Sequence, residues 1–190
     1  MLYLLKSASF LGNKHPNQTR NLWQWLNIIF NSVDEERRKV YGADRTCAEW
    51  LLRNGASVKW TSAKEFLADY NELPPENIKL YIKEVDATDS SISHYGFPHF
   101  AGCKHIDKII LHKCGYLENE ALPQLKPLKN TLKYLQISSC GNITEPGLNS
   151  LTELNNLEKL IIADLPYVKD KEGVLKTLSN TLTKCNITYN

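Results

Sequence analysis

The sequence predicts an α/β chain in which a short helical N-terminal domain precedes a small array of repeated strand units. Three observations carry this. Apolar residues recur at helical spacing from Asn21 towards Lys79. After Pro75 the spacing changes. From there one apolar pattern returns four times, starting at Ile82, Ile106, Leu132 and Leu157, which are intervals of 24, 26 and 25 residues. The 190 residues suffice to bury a substantial core without disulfides or a metal. Five cysteines with no C-x-x-C pair fit a reducing compartment better than a disulfide scaffold.

The N-terminus stands apart in charge. Residues 1–33 contain Lys6, Lys14 and Arg20 but no acid before Asp34. That composition fits a mitochondrial transit peptide over 1–20 as well as it fits an ordinary N-terminus. Lys6 interrupts the apolar MLYLL stretch too early for a secretory signal. The net charge of +2 argues against a nucleic-acid partner, and without residues 1–20 the chain carries 20 basic against 21 acidic residues.

Within the helical domain, 21–79, Leu22, Trp23, Leu26, Ile29, Phe30 and Val33 form an apolar stripe. Asp34 caps a short charged turn, DEERRKVYG, and Asp44 opens DRTCAEWLLRN, with Gly55 as its left-handed stop. Val58 and Trp60 alternate with polar residues as a short strand does. Ser62-x-x-Glu65 reads as a capping box that opens a further helix, closed by Leu73-Pro74-Pro75. Trp23, Trp25, Trp50, Trp60, Phe66 and Tyr70 are expected to pack the core of this domain.

In the second domain, 80–190, the copies read Ile106-x-x-Ile109-x-Leu111-x-x-Cys114, Leu132-x-x-Leu135-x-Ile137-x-x-Cys140 and Leu157-x-x-Leu160-x-Ile162-x-x-Leu165, after a weaker one from Ile82. This is the period of leucine-rich repeats, about four of them, with parallel strands on a concave face. Cys140-Gly141-Asn142-Ile143-Thr144 resembles the cysteine-containing subtype, so the interval between Cys114 and Cys140 is repeat register. Strand alternation sends positions 4 and 6 inward. The outward set is Glu84, Asp86 and Thr88, then Lys108, Ile110 and His112, then Tyr134, Gln136 and Ser138, then Lys159, Ile161 and Ala163. Lys108, His112, Tyr134 and Gln136 are the candidate partner-binding residues.

Catalytic signatures are missing. The chain contains no G-x-G-x-x-G, Walker A, G-x-S-x-G or H-E-x-x-H. His94, His99 and His105 have no ligand register and are expected on the surface. Asp86-Ala87-Thr88-Asp89 offers oxygen donors for a hard cation, or else a solvated strand end with a turn cap. The reading is a non-enzyme.

Several segments together resemble the mitochondrial ATP synthase coupling factor B (ATP synthase subunit s) family. They are Trp25-Leu26-Asn27, Glu49-Trp50-Leu51-Leu52-Arg53, Asp69-Tyr70-Asn71 with Leu73-Pro74, Val85 to Ser90, Ser139 to Thr144, and Asp164-Leu165-Pro166. The resemblance implies a transit peptide and peripheral attachment to the matrix side of the inner membrane. It also implies association with the membrane sector of ATP synthase, where the family limits proton leak, with homo-oligomers allowed. It implies one Mg2+ between the domains, the matching positions being Gly55 and Thr88. The family's C-x-C dithiol is replaced here by His112-Lys113-Cys114, which puts dithiol redox chemistry in doubt. A sister family that assembles the distal membrane arm of respiratory complex I is the alternative. A ubiquitin-ligase adaptor is the second, although no F-box precedes the repeats.

Overall fold

A computed structural model describes residues 16–190; most of the expected leader therefore lies outside the described residues. Helix α1 spans Pro16–Asn31, α2 Glu35–Tyr41 and α3 Ala43–Arg53. Asp34 caps α2 by accepting the Arg37 N–H, as its position before DEERRKVYG predicts. Gly42, at φ 86°, then serves as the C-cap of α2 and the N-cap of α3. Asp44 lies in the first turn of α3, where the segment it opens begins. Its carboxylate is buried and accepts the Ile82 N–H at 2.9 Å, which fastens α3 to the first repeat.

The strands are β1 Ser57–Trp60, β2 Ile82–Asp86, β3 Lys108–His112, β4 Tyr134–Ser138, β5 Lys159–Ala163 and β6 Asn186–Tyr189. They form one sheet in chain order. Strand β1, from the helical domain, pairs antiparallel with β2, and every later pair is parallel. Equivalent positions stay in register, so Lys108 lies beside Tyr134, and Tyr134 beside Lys159. Strand β6 has no counterpart among the expected repeats. Its sequence NITY alternates too weakly to announce a strand, and it forms by extending the parallel ladder of β5.

The return segments cover the inward face. Two are 3₁₀ stretches, His94–Phe100 and Asn119–Leu128. Pro98, Pro123 and Pro127 sit inside them and remove the N–H groups that an α-helical ladder needs. The later returns use α4 Glu145–Asn149 and α5 Lys171–Thr181. In α4 the proline falls in the first turn, where its missing N–H costs nothing. One continuous core results, from Cys47, Trp50 and Leu51 through Ile109, Leu111, Leu135, Ile137, Leu160 and Ile162 to Leu178 and Leu182.

The backbone repeats along with the sequence. Asp89, Lys113, Ser139 and Asp164 all have left-handed φ, between 51° and 56°, although none is glycine. Each follows the end of its strand. The N–H groups of Asp89, Lys113 and Ser139 donate to the carbonyls of His112, Ser138 and Ala163 on the neighbouring strands. The ladder thus extends beyond the strands and offsets the cost of the conformation. Cys114 and Cys140 are fully buried, and their thiols donate to the carbonyls of Ala87 and Leu111. The neighbouring Cys140 thiol, together with burial, pushes the Cys114 thiol far above its ordinary value, so it is inert as expected.

Three expectations fail. The capping box at Ser62 opens no helix, and only a 3₁₀ turn, Tyr70–Glu72, forms in this stretch. Leu67 instead exchanges both backbone hydrogen bonds with Val58 (2.8 and 2.9 Å), and that extended pairing is incompatible with a helix. The aromatic core is smaller than expected: Trp50 and Trp60 are buried, whereas Trp25 and Phe66 are exposed. Leu22, Ile29 and Phe30 of the α1 stripe are exposed as well. Finally, His99 is not on the surface. It is buried and stacked on the Trp50 indole with centroids 5.2 Å apart, and burial lowers its pKa to about 4.

Candidate functional site

Period-2 alternation puts a row of polar side chains on the face of the sheet opposite the core. In β3 the buried residues are Ile109 and Leu111, which leaves Lys108, Ile110 and His112 half-exposed on the open face. Strand β4 repeats the pattern, with Leu135 and Ile137 inward and Tyr134 and Gln136 outward. All four predicted partner-binding residues therefore share one surface.

They are joined by two chains of contacts. The Tyr134 hydroxyl donates to Gln136 Oε1 at 3.2 Å, and Gln136 Nε2 donates to Ser138 Oγ at 2.9 Å. Ser138 Oγ lies 2.8 Å from His112 Nδ1. Ser138, predicted to face outward, does so, but this network buries it. The second chain is charged. Glu84 is held between Lys59 at 3.0 Å and Lys108 at 3.2 Å. Burial works against the Glu84 carboxylate, but bonds to the two lysines outweigh it and hold the pKa below the usual range. Lys108 and Lys159 approach the Tyr134 ring from either side, 5.4 and 5.7 Å from its centroid. The centre of the face is thus an aromatic ring between two cations, with amide and imidazole groups beside it. Such a ring, ordered and partly wet, is a common anchor in protein interfaces.

Lys59 was missed by sequence reasoning. Its alternation with Val58 and Trp60 marks it as outward, but no short motif encodes the antiparallel pairing that places it against Glu84.

Gly55 and Thr88 are brought together at the strand ends. Asn54 accepts the Ser91 N–H at 2.9 Å and Ser57 is in register with Asp86, so Gly55 runs alongside the turn that contains Thr88. Gly55 has φ 84°, as a left-handed helix stop requires. Among the described residues no hydrogen bond reaches the carbonyl of Gly55 or of Thr88. Asp86 Oδ1 accepts both the Thr88 N–H (3.0 Å) and its hydroxyl (2.6 Å), which fixes the turn. Two free carbonyls and a carboxylate are the donor chemistry of a hard, partly hydrated cation.

A network of buried amides lies behind this turn. Asn31 is fully buried, and its oxygen accepts from Trp50 Nε1 and from the Ser93 N–H, both at 2.9 Å. Its nitrogen donates to Asn54 Oδ1 and to the Ser91 carbonyl. The helical domain and the first repeat are therefore locked at the place where the two predicted metal residues meet.

Fold and face together define a class: an α/β protein with N-terminal helices and a mostly parallel sheet that presents a patterned polar surface. No family profile matches the chain. Relatives matched over most of their length do. A Rattus norvegicus protein named ATP synthase subunit s, mitochondrial, is 41% identical over 176 residues, covering 90% of this chain and 88% of the relative. The Mus musculus protein of that name is 42% identical over the same length, and the Homo sapiens protein 42% over 168 residues, 86% and 84% of the two chains. The chain belongs to the mitochondrial ATP synthase subunit s (coupling factor B) family.

Proposed function

We propose that this protein is a non-catalytic accessory subunit of mitochondrial ATP synthase. In this reading it sits peripherally on the matrix side of the inner membrane and limits proton leak through the membrane sector. The names of its relatives support the association. No helix among the described residues is long and apolar enough to cross a membrane, which accords with peripheral attachment. The strand units act as leucine-rich repeats whose concave face docks the partner. The single observation that carries the docking role is the Tyr134 ring clamped between Lys108 and Lys159 on the open face.

The Gly55 and Thr88 carbonyls would hold one Mg2+, with Asp86 and Asp89 adding negative charge. When bound, the ion would tie the helical domain to the first repeat.

Pull-down from detergent-solubilised mitochondria tests the docking role. Wild-type protein should enrich ATP synthase subunits, and Lys159→Gln combined with Tyr134→Ala should lose them while still unfolding cooperatively. Equal enrichment by the variant would remove the face from the interaction. Stalled complex I intermediates with normal ATP synthase after knockout would replace the proposal with an assembly role. For the ion, Mg2+ should raise the melting temperature of the wild type more than that of Asp86→Asn/Asp89→Asn. Equal shifts would exclude the two carboxylates.

A further inference from the structure

Away from this face, where the first two return segments meet, lies a second group of donors that the function above does not use. We propose that His94, Glu118 and Glu120 form a site for one divalent transition cation of the zinc class, separate from the Gly55–Thr88 turn. One ligand atom from each residue falls within 4.8 Å of the other two. Ligands around one zinc ion sit roughly 3–4 Å apart at bond lengths of about 2.0–2.2 Å. A movement of about an ångström by the two exposed glutamate side chains therefore closes the shell.

Three features favour a cation over a fortuitous grouping. First, His94 Nδ1 is screened from solvent and makes no hydrogen bond among the described residues. It lies 3.3 Å from Glu118 Oε2, but not in hydrogen-bonding geometry. A ring nitrogen that is screened from solvent and has no hydrogen-bond partner is a donor open to a metal. Second, the two carboxylates face each other without a Lys or Arg counter-ion. Among the described residues no Lys or Arg forms a salt bridge with Glu118 or Glu120, and the one basic group near them is His94, 3.3 Å from Glu118. Third, the backbone that carries the donors is ordered by contacts independent of them. Gln124 Nε2 donates to the His94 carbonyl at 3.1 Å, Glu118 bridges to Asn142, and the Glu118 carbonyl accepts the Ala121 N–H. The site therefore requires no ordering of the chain, only of two side chains.

The donor set selects the metal class. One imidazole nitrogen and two carboxylates leave the fourth position of a tetrahedral zinc shell for water, and nitrogen disfavours Mg2+ and Ca2+. Such an ion would clasp the stretches 94–100 and 119–128 and so staple the first repeat to the second.

The test is titration of the full chain with Zn2+ alone, read by calorimetry and thermal unfolding. One ion per chain with a raised melting temperature is expected. Because losing a ligand costs at least as much as losing a residue that only hydrogen-bonds to one, His94→Gln, Glu118→Gln and Glu120→Gln should each weaken binding roughly tenfold or more. Glu120 is exposed, so its variant keeps the metal-free melting temperature and separates ligation from folding. Co2+ should show visible absorption that His94→Gln removes. Zn2+ binding that survives His94→Gln and Glu120→Gln would place the metal elsewhere and overturn the assignment. Absence of a calorimetric signal with the wild type would overturn it too.

Discussion

Glu49, in the middle of α3, is the most informative residue to perturb. Its side chain is 2% exposed, yet it carries a charge. Arg37 of α2 grips it with two bonds, 2.6 and 2.7 Å, and Arg45 adds a third at 2.8 Å. Burial alone would raise the Glu49 pKa, but the bonds to Arg37 and Arg45 outweigh it and the pKa is lowered. Glu49→Gln keeps the shape and removes the charge, leaving the guanidinium groups of Arg37, Arg45 and, at 3.7 Å, Arg53 facing an amide. Breaking a buried ion pair by removing one partner costs about 3–5 kcal/mol. The lower end applies here, because the Arg37 and Arg45 side chains retain 29% and 16% exposure and Arg37 keeps Glu76 at 2.6 Å. A loss of about 3 kcal/mol corresponds to a fall of roughly 6–12 °C in melting temperature for a chain of this size. Calorimetry of Glu49→Gln, Arg37→Gln and the double variant measures it and isolates the pair coupling. Glu76→Gln, which touches the exposed end of the same cluster, serves as the weak control. If Glu49→Gln melted within about 2 °C of wild type, or no lower than Glu76→Gln, the buried clamp would not hold α2 to α3.

Three further outcomes follow from the packing. A Cβ at Gly96 would lie 2.2 Å from the Trp50 indole, so Gly96→Ala should cost at least about 1–3 kcal/mol in urea unfolding, with weaker near-ultraviolet dichroism. His99 is held neutral, its pKa lowered from 6.5 to about 4, so the unfolded chain binds more protons between those values. The stability it contributes is complete above pH 6.5 and declines by roughly 3 kcal/mol as the pH falls to 4, and His99→Gln should flatten that part of the profile. Leu135 is fully buried on the inward side of β4, so Leu135→Asp should cost several kcal/mol and abolish cooperative melting, whereas an unchanged melting temperature would refute the strand register.

What the sequence determined by itself is the periodic part. The inward pairs Ile109 and Leu111, Leu135 and Ile137, Leu160 and Ile162 follow from alternation and the repeat interval, and all are buried. Lys108, His112, Tyr134 and Gln136 share a face for the same reason, because a strand has only two sides and a parallel register carries one copy onto the next. The Gly55 stop was legible too, since φ 84° is a conformation that glycine adopts without penalty. The tertiary structure decided everything that depends on a partner remote in the chain. Leu67 is extended because Val58 is beside it, and so the capping box at Ser62 goes unused. Strand β6 exists because β5 offers an unpaired edge. His99 is buried because the stretch that carries it packs onto Trp50, and Lys59 meets Glu84 only through the pairing of β1 with β2. Local propensity differs by tenths of a kilocalorie between such alternatives. Burial and long-range hydrogen bonding differ by whole ones, and they prevail wherever the two disagree.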